Sequence, residues 1–341
     1  MMPLLSALIL ASCENKELCF EHDQHIPRYA TRVHADYELI WEQSEDNQTH
    51  WQSVWPSLGL GMSYNALRPS VPEGIRMMAF NVDGTRTQTN MPSSGDEIYL
   101  PPGDNSLLFY NNDTEFIVFN DMGSYTSASA TTRSRYRSSY TGNPIYSPPR
   151  GSDGKSGETT VSAPDVLFGH YIDGYFQKQN TSPQQLDITM HPLVFTYVIC
   201  CRFKSGYEHV ALARGALAGM AQSVYLHDGH TSSESVTILY DCTLEPWGVL
   251  AEVKSFGIPD YPNSSYSRST GDFAVTLEMK LKSGKIVNNY FNITEQMSKQ
   301  PHGGVITIDD IVVTDDSSGS GSAFDVTVDD WGEFEDVPID F

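Results

Sequence analysis

Positive charge is what this sequence has least of: 21 Lys and Arg stand against 43 Asp and Glu in 341 residues, a net charge of −22. So acidic a surface repels phosphate and argues against nucleic acid as a partner. Cysteine is sparse, with only Cys13, Cys19, Cys200, Cys201 and Cys242, and no CxxC pair among them. With no HExxH motif either, structural zinc and a zincin site lack support, and no metal or other cofactor is expected. The chain has no Gly-x-Ser-x-Gly elbow and no carboxylate pair set in a motif, so no catalytic residues are assigned and the expectation is a non-enzyme. Long apolar runs are missing too. The N-terminal run occupies only the first twelve residues, too short to cross a bilayer, and no later stretch approaches eighteen.

That short run is nevertheless informative. Leu4, Leu5, Ala7, Leu8, Ile9 and Leu10 lead into Ala11-Ser12-Cys13, and the chain then turns polar at Glu14-Asn15-Lys16-Glu17. An apolar core ending in small residues is how a secretory signal closes. Leu10-Ala11-Ser12-Cys13 resembles a bacterial lipoprotein box, which implies a signal peptide over 1–12 and a lipidated tether over 13–32. Acyl chains such as palmitate on Cys13 would each contribute ~0.8 kcal/mol per buried methylene, enough for two or more to hold the chain stably on a membrane. No Lys or Arg precedes the run, a departure from the basic n-region that points to a start upstream of Met1. His22, Asp23 and His25 invite a metal reading, but a solvated tether offers no rigid support for ligands.

The rest of the chain is rich in strand and turn formers, with 18 Tyr, 15 Phe, 26 Gly and 19 Pro. Val33 to Trp41 alternates as a half-buried strand does, and Ile75 to Val82 is a second strand closed by Asp83-Gly84. Residues 42–74 read as a long loop with short pieces of structure. Leu107–Tyr110 and Phe116–Phe119 flank Asn111-Asn112-Asp113-Thr114, which reads as a hairpin. Residues 123–163 form a Ser- and Tyr-rich island carrying Arg133, Arg135, Arg137 and Arg150, read as a solvated loop, with a patch for anionic glycan or a neighbouring subunit as the sharper alternative. The polar stretch 177–185 suits a linker. Beyond it, Leu193 to Cys201 is apolar on both faces and predicts a central strand covered on both sides. Val210 to Tyr225 would suit a helix but for Gly215 and Gly219, each costing about 1 kcal/mol there. Thr294 to Met297 predicts one helical turn. Residues 309–341 hold eleven Asp or Glu and no Lys or Arg, a solvated acidic edge rather than a calcium loop, since the spacing fits no EF-hand.

Length favours two domains, and the strand rhythm favours all-β sandwiches. The expected division is 33–182 and 183–341. Cys200 and Cys201, adjacent on one strand, should point to opposite faces. One of them is a candidate disulfide partner for Cys242 in an oxidising compartment; buried thiols serving as small hydrophobes are the other reading.

The lipoprotein box with Leu18-Cys19-Phe20-Glu21-His22, the segment Phe109 to Glu115, Arg214-Gly215-Ala216-Leu217-Ala218-Gly219-Met220 and Phe324 to Trp331 together resemble a fimbrillin-like lipoprotein family. Its members are surface proteins of anaerobic Gram-negative bacteria, similar to fimbrial anchor and minor subunits. The resemblance implies two tandem transthyretin-like β-sandwich domains, an outer-membrane, cell-surface location through lipid at Cys13, and assembly with other fimbrillin-like subunits by strand exchange. An unpaired strand edge offers backbone donors and acceptors that an added strand satisfies. In polymerising members of the family a trypsin-like protease cuts after an arginine and removes the first strand, so Arg28 and Arg32 are the candidate cleavage sites; anchor-type members keep that strand. An alternative function is a glycan-binding outer-membrane lipoprotein, with Trp41, Trp51, Trp55, Trp247 and Trp331 as candidate sugar platforms.

Overall fold

The computed structural model describes residues 27–135, 158–262 and 273–315. In chain order the strands begin with β1 (Tyr29–Tyr37), β2 (Gly74–Asn81), β3 (Arg86–Pro92), β4 (Glu97–Leu100), β5 (Gly103–Tyr110), β6 (Ile117–Asn120) and β7 (Ser129–Thr132). Next come β8 (Thr159–Ser162), β9 (Phe168–Gln177), β10 (Gln184–Pro192), β11 (Phe195–Ser205), β12 (Val210–Ala221) and β13 (Ser223–Tyr225). The last are β14 (Ser235–Asp241), β15 (Thr243–Glu245), β16 (Gly248–Ser255), β17 (Ala274–Leu281), β18 (Ile286–Asn292) and β19 (Gly304–Val312). The helices are short: α1 (Trp51–Leu58), which interrupts the expected loop, and α2 (Thr294–Met297) at the anticipated turn. The all-β expectation is therefore borne out.

Seven strands form one sheet in the order β3-β2-β5-β9-β10-β1-β4. Only two residue pairs join β9 to β10, His191 with Gly169 and Pro192 with Phe168, so the sheet folds over there. The fold brings Val33 and Ala35 of β1, Ile75 and Met77 of β2, Leu107 and Phe109 of β5, and Ile188 and Met190 of β10 into one core. Alternate residues of each strand point inward, as the period of two requires. A second core lies between the four-stranded sheet β15-β16-β11-β19 and the five-stranded sheet β18-β17-β12-β14-β8. Strand pairing runs across the expected boundary at 182/183 in both directions. β10 pairs in parallel with β1, β8 pairs in parallel with β14, and β13 joins β7 in a three-stranded sheet, β13-β7-β6.

Two sequence expectations are corrected. β5 and β6 make no hairpin, since they belong to different sheets. Asn111, buried at the end of β5, receives the Phe168 N–H at 2.7 Å on Oδ1 and donates from Nδ2 to Val166 O at 3.1 Å. Its amide thus ties β5 onward to β9, and the chain crosses to another layer instead of reversing. The helix considered over Val210 to Tyr225 is mostly strand β12, and both glycines serve the strand. Gly215 lies opposite Tyr240, whose ring occupies the space a Cβ would need. Gly219 has φ +89° inside a register shift between Leu217 and Met220, a bulge that suits glycine. Its N–H donates to Glu158 Oε2 at 2.9 Å.

β11 is the central covered strand the sequence predicted, buried from Phe195 to Cys201. Tyr197, Ile199 and Cys201 face the second core. Val198 and Cys200 face the other way, under a cover made by Trp41, Trp55, Leu60 and Leu67. Backbone bonds stitch that cover down, from Thr196 N–H to Trp41 O at 2.8 Å, Gln43 N–H to His302 O at 2.8 Å and Gln48 N–H to Lys299 O at 2.9 Å. Beneath it Glu42 is 2% exposed and accepts from Tyr64 Oη at 2.6 Å and Asn47 Nδ2 at 2.7 Å. Burial raises its pKa, although the two hydrogen bonds pull the other way. A carboxyl whose pKa is higher folded than unfolded adds stability below its unfolded pKa and loses it as pH rises through the folded one. Urea denaturation is therefore expected to show Glu42→Gln losing less stability than the parent chain between pH 4 and pH 8; identical pH profiles would rule this out.

Candidate functional site

For a protein expected to work through strand pairing, the first strand is the element to inspect. β1 is flanked on both sides. It runs parallel to β10 from Thr31–Gln184 to Tyr37–Met190 and antiparallel to β4 from Tyr29–Leu100 to Arg32–Glu97. Past β4, the N–H groups of Val33 and Ala35 donate to Asp96 O at 2.9 Å and Ser94 O at 3.1 Å. Gly95, at φ +90°, lets this turn lie against Val33 O, which an added Cβ would strike. Inward, Thr31 is fully buried and donates from Oγ1 to Gln177 Oε1 at 2.6 Å. At the far end Tyr37 sets its ring edge-on to Phe168 at 5.2 Å and donates from Oη to Ser93 O at 3.1 Å. Burial, with the Asp113 charge, pushes the Tyr37 phenol up to about 12.

The candidate cleavage arginines differ in place. Arg32 lies within β1, with its guanidinium 3.6 Å from Glu97 Oε2. Arg28 stands exposed just before β1. After Arg32 the next Lys or Arg is Arg68, followed by Pro69. Cys13, Cys19, His22, Asp23, His25, Arg137, Arg150 and Trp331 lie outside the described residues. Arg135 places Nη2 3.9 Å from Asp241 and donates from Nη1 to Leu239 O at 3.4 Å, beside the β8–β14 pair.

The structure carries Cys200, Cys201 and Cys242 as thiols. Cys200 and Cys201 point to opposite faces of β11, and Cys242 packs on the core that Cys201 enters. Burial pushes the Cys200 thiol up to about 11 and raises that of Cys201 well above its usual value, so neither is a ready nucleophile at neutral pH. The tryptophans offered as sugar platforms are occupied otherwise: Trp41 and Trp55 are buried, and Trp51 and Trp247 pack against the same cover cluster.

A feature that sequence reading missed is a groove where the cover meets β11, β16 and the chain before β9. One cavity of about 540 Å³ is lined by residues that include Trp41, Arg68, Phe116, Asp165 and Lys254. A second of about 490 Å³ shares Ser70, Asp165, Val166 and Lys254 with it and extends to Val71 and Asp113. Asp165 Oδ2 receives the N–H groups of Glu115 at 2.7 Å and Phe116 at 2.6 Å, and Asp113 Oδ2 receives that of Glu73 at 2.8 Å. Six stretches of the chain, around residues 40, 70, 113, 165, 195 and 253, build these walls, and no local motif marks them. Among the described residues no group of three or more His, Cys, Asp and Glu is placed to hold a metal ion, and no helix is long and apolar enough to cross a membrane.

Layered sheets, mostly antiparallel with parallel pairs at β1–β10, β11–β19 and β8–β14, enclose apolar cores and define a β-sandwich protein. A family model described as a domain of unknown function (DUF5119) matches residues 61–241, and the chain belongs to that family. Over 182 residues it is 26% identical to a candidate fimbrium anchoring subunit, Fim4B, of Bacteroides ovatus, covering 53% of this chain and 50% of that one. The chain thus spans about half the length of that curated relative. The crystal structure of a candidate adhesin from Bacteroides ovatus has the same fold, with a TM-score of 0.57 at 20% identity over 86% of this chain and 94% of that one. The fimbrial anchor protein Mfa2 from Porphyromonas gingivalis aligns at 10% identity with a TM-score of 0.41, over 82% of this chain and 90% of its own, too distant to carry weight. The likeness to fimbrial proteins drawn from the sequence is borne out.

Proposed function

We propose that this chain is a surface-attached fimbrial subunit of the anchoring kind, non-enzymatic, tethered to the outer membrane by lipid on Cys13 and keeping its first strand. The observation that carries this is β1 itself, paired along both edges and without a basic residue from which it can be released. A protease binds its substrate as an extended segment with free backbone groups, and Arg32 has its backbone inside a two-sided ladder. Cutting after Arg28 leaves Tyr29–Tyr37 whole. Arg68 precedes a proline, which a trypsin-like enzyme does not cleave, so the first strand remains. The relative named as a candidate fimbrium anchoring subunit supports the same reading.

Assembly with other fimbrillin-like subunits then proceeds by strand addition at an edge. β19, which among the described strands has β11 alone as neighbour, supports this. Two tandem sandwich domains, the first lending β8 and receiving β10 and β13, account for the crossed pairing. In an oxidising compartment a disulfide to Cys242 would fall to Cys201, which enters the same core, and not to Cys200, which faces the cover.

The test is brief trypsin treatment of the native chain followed by mass spectrometry. Products starting at Tyr29 or earlier, with β1 retained after gel filtration, are expected. Release of a peptide containing Val33–Tyr37 would sink the strand-retention reading. Radiolabelled or clickable palmitate lost on Cys13→Ala tests the tether separately.

A further inference from the structure

We infer that the groove beside the aromatic cover, where it meets β11, β16 and the chain before β9, is a binding site for a neutral oligosaccharide, a role apart from assembly. Its two cavities, of about 540 and 490 Å³, adjoin at Ser70, Asp165, Val166 and Lys254. Either volume falls in the range that holds small ligands.

Hydrogen-bonding capacity left over in the groove selects the ligand. Among the described residues Lys254 has no carboxylate within 4.0 Å and Arg68 makes no ion pair, unusual for basic groups in a chain of net charge −22. Asp165 uses Oδ2 for two backbone N–H groups, which leaves Oδ1 available as an acceptor. Glu252 on β16 adds an exposed carboxylate two residues from Lys254, on the same side of the strand. The groove therefore presents both donors, on Arg68 and Lys254, and acceptors, on Asp165 and Glu252. A sugar hydroxyl both donates and accepts, so a polyhydroxylated chain can satisfy such a set. Phe116 and the 47%-exposed Val71 offer apolar surface for the C–H faces of sugar rings.

Charge narrows the choice further. Glu73, Asp113, Asp165 and Glu252 outnumber Arg68 and Lys254, so a polyanion would be repelled by the groove and by the whole protein. A cationic ligand would meet Arg68 and Lys254, while the carboxylate oxygens of Asp113 and Asp165 that accept backbone N–H groups are already engaged. An uncharged, hydroxyl-rich ligand meets neither penalty.

The experiment is an NMR titration of the purified full chain with cellotriose, maltotriose, mannotriose and xylotriose, and in parallel with trigalacturonate. A neutral trisaccharide should saturate shifts of the Phe116, Thr196 and Lys254 amides, and Lys254→Ala should weaken it at least tenfold without changing the melting temperature. Arg68→Ala, a second groove variant, should weaken it as well, whereas Arg202→Ala should not. Four results each overturn the proposal: no neutral sugar moving those amides up to about 20 mM, full binding by both groove variants, equal weakening by Arg202→Ala, or binding of trigalacturonate alone.

Discussion

Trp41→Ala is expected to cost about 3–5 kcal/mol of unfolding free energy, the range for deleting a large aromatic from a packed interior. Trp41 is 2% exposed and packs edge-on to Trp55 at 5.6 Å and tilted against Tyr64 at 5.1 Å. These rings seal the outer face of β11, so the truncation leaves a cavity above Val198 and Cys200. Trp41 Nε1 is buried with no hydrogen-bond partner, and the loss is therefore one of packing alone. Trp41→Phe keeps a ring and discards that unpaired donor, so it should cost far less, below about 1.5 kcal/mol. Urea denaturation of the three proteins checks the ordering. An alanine variant within 1 kcal/mol of the parent would mean that the cover contributes little to the fold.

Gly215→Val should destabilise by a similar amount, about 3 kcal/mol, for the opposite reason. The space a Cβ would fill at Gly215 is taken by the ring of Tyr240 on the neighbouring strand. Tyr240 is itself 5% exposed in the second core, among Leu217, Ile238 and Leu277, and has little room to retreat. An aromatic lying over a strand glycine replaces the packing the glycine lacks, so any side chain there displaces it. The double variant Gly215→Val with Tyr240→Ala should recover part of the loss, because the added methyls enter the vacated volume. Additive losses in a double-mutant cycle would contradict this packing account.

The glycines of β12 show how far local sequence can be read. Their cost to a helix was visible, but their value to a strand was not, because Tyr240 and Glu158 lie 25 and 61 residues away. The segment Phe109 to Glu115 teaches the same lesson. Its turn residues mark a change of direction, and Asn111 decides which direction by bonding to Phe168 and Val166. In contrast, the two-sided burial of β11 followed from composition alone, since a run apolar on both faces has to be covered on both. What covered it did not follow. The aromatic cover comes from residues 41–67, a stretch whose few apolar residues gave no regular period.

Alternation and turn chemistry determined that this chain is all-β, that the strand from Val33 is half-buried and the run to Cys201 covered on both faces, and that Cys200 and Cys201 part company across a strand. Only the tertiary structure decided that β1 is gripped along both edges, that β8 and β13 cross between sheets, and that Arg68, Asp165 and Lys254 share a groove. The physical reason is range. The pleat repeats every two residues and can be read locally, whereas strand partners and groove walls are chosen by contacts between residues far apart in the chain, of which a single sequence carries no trace.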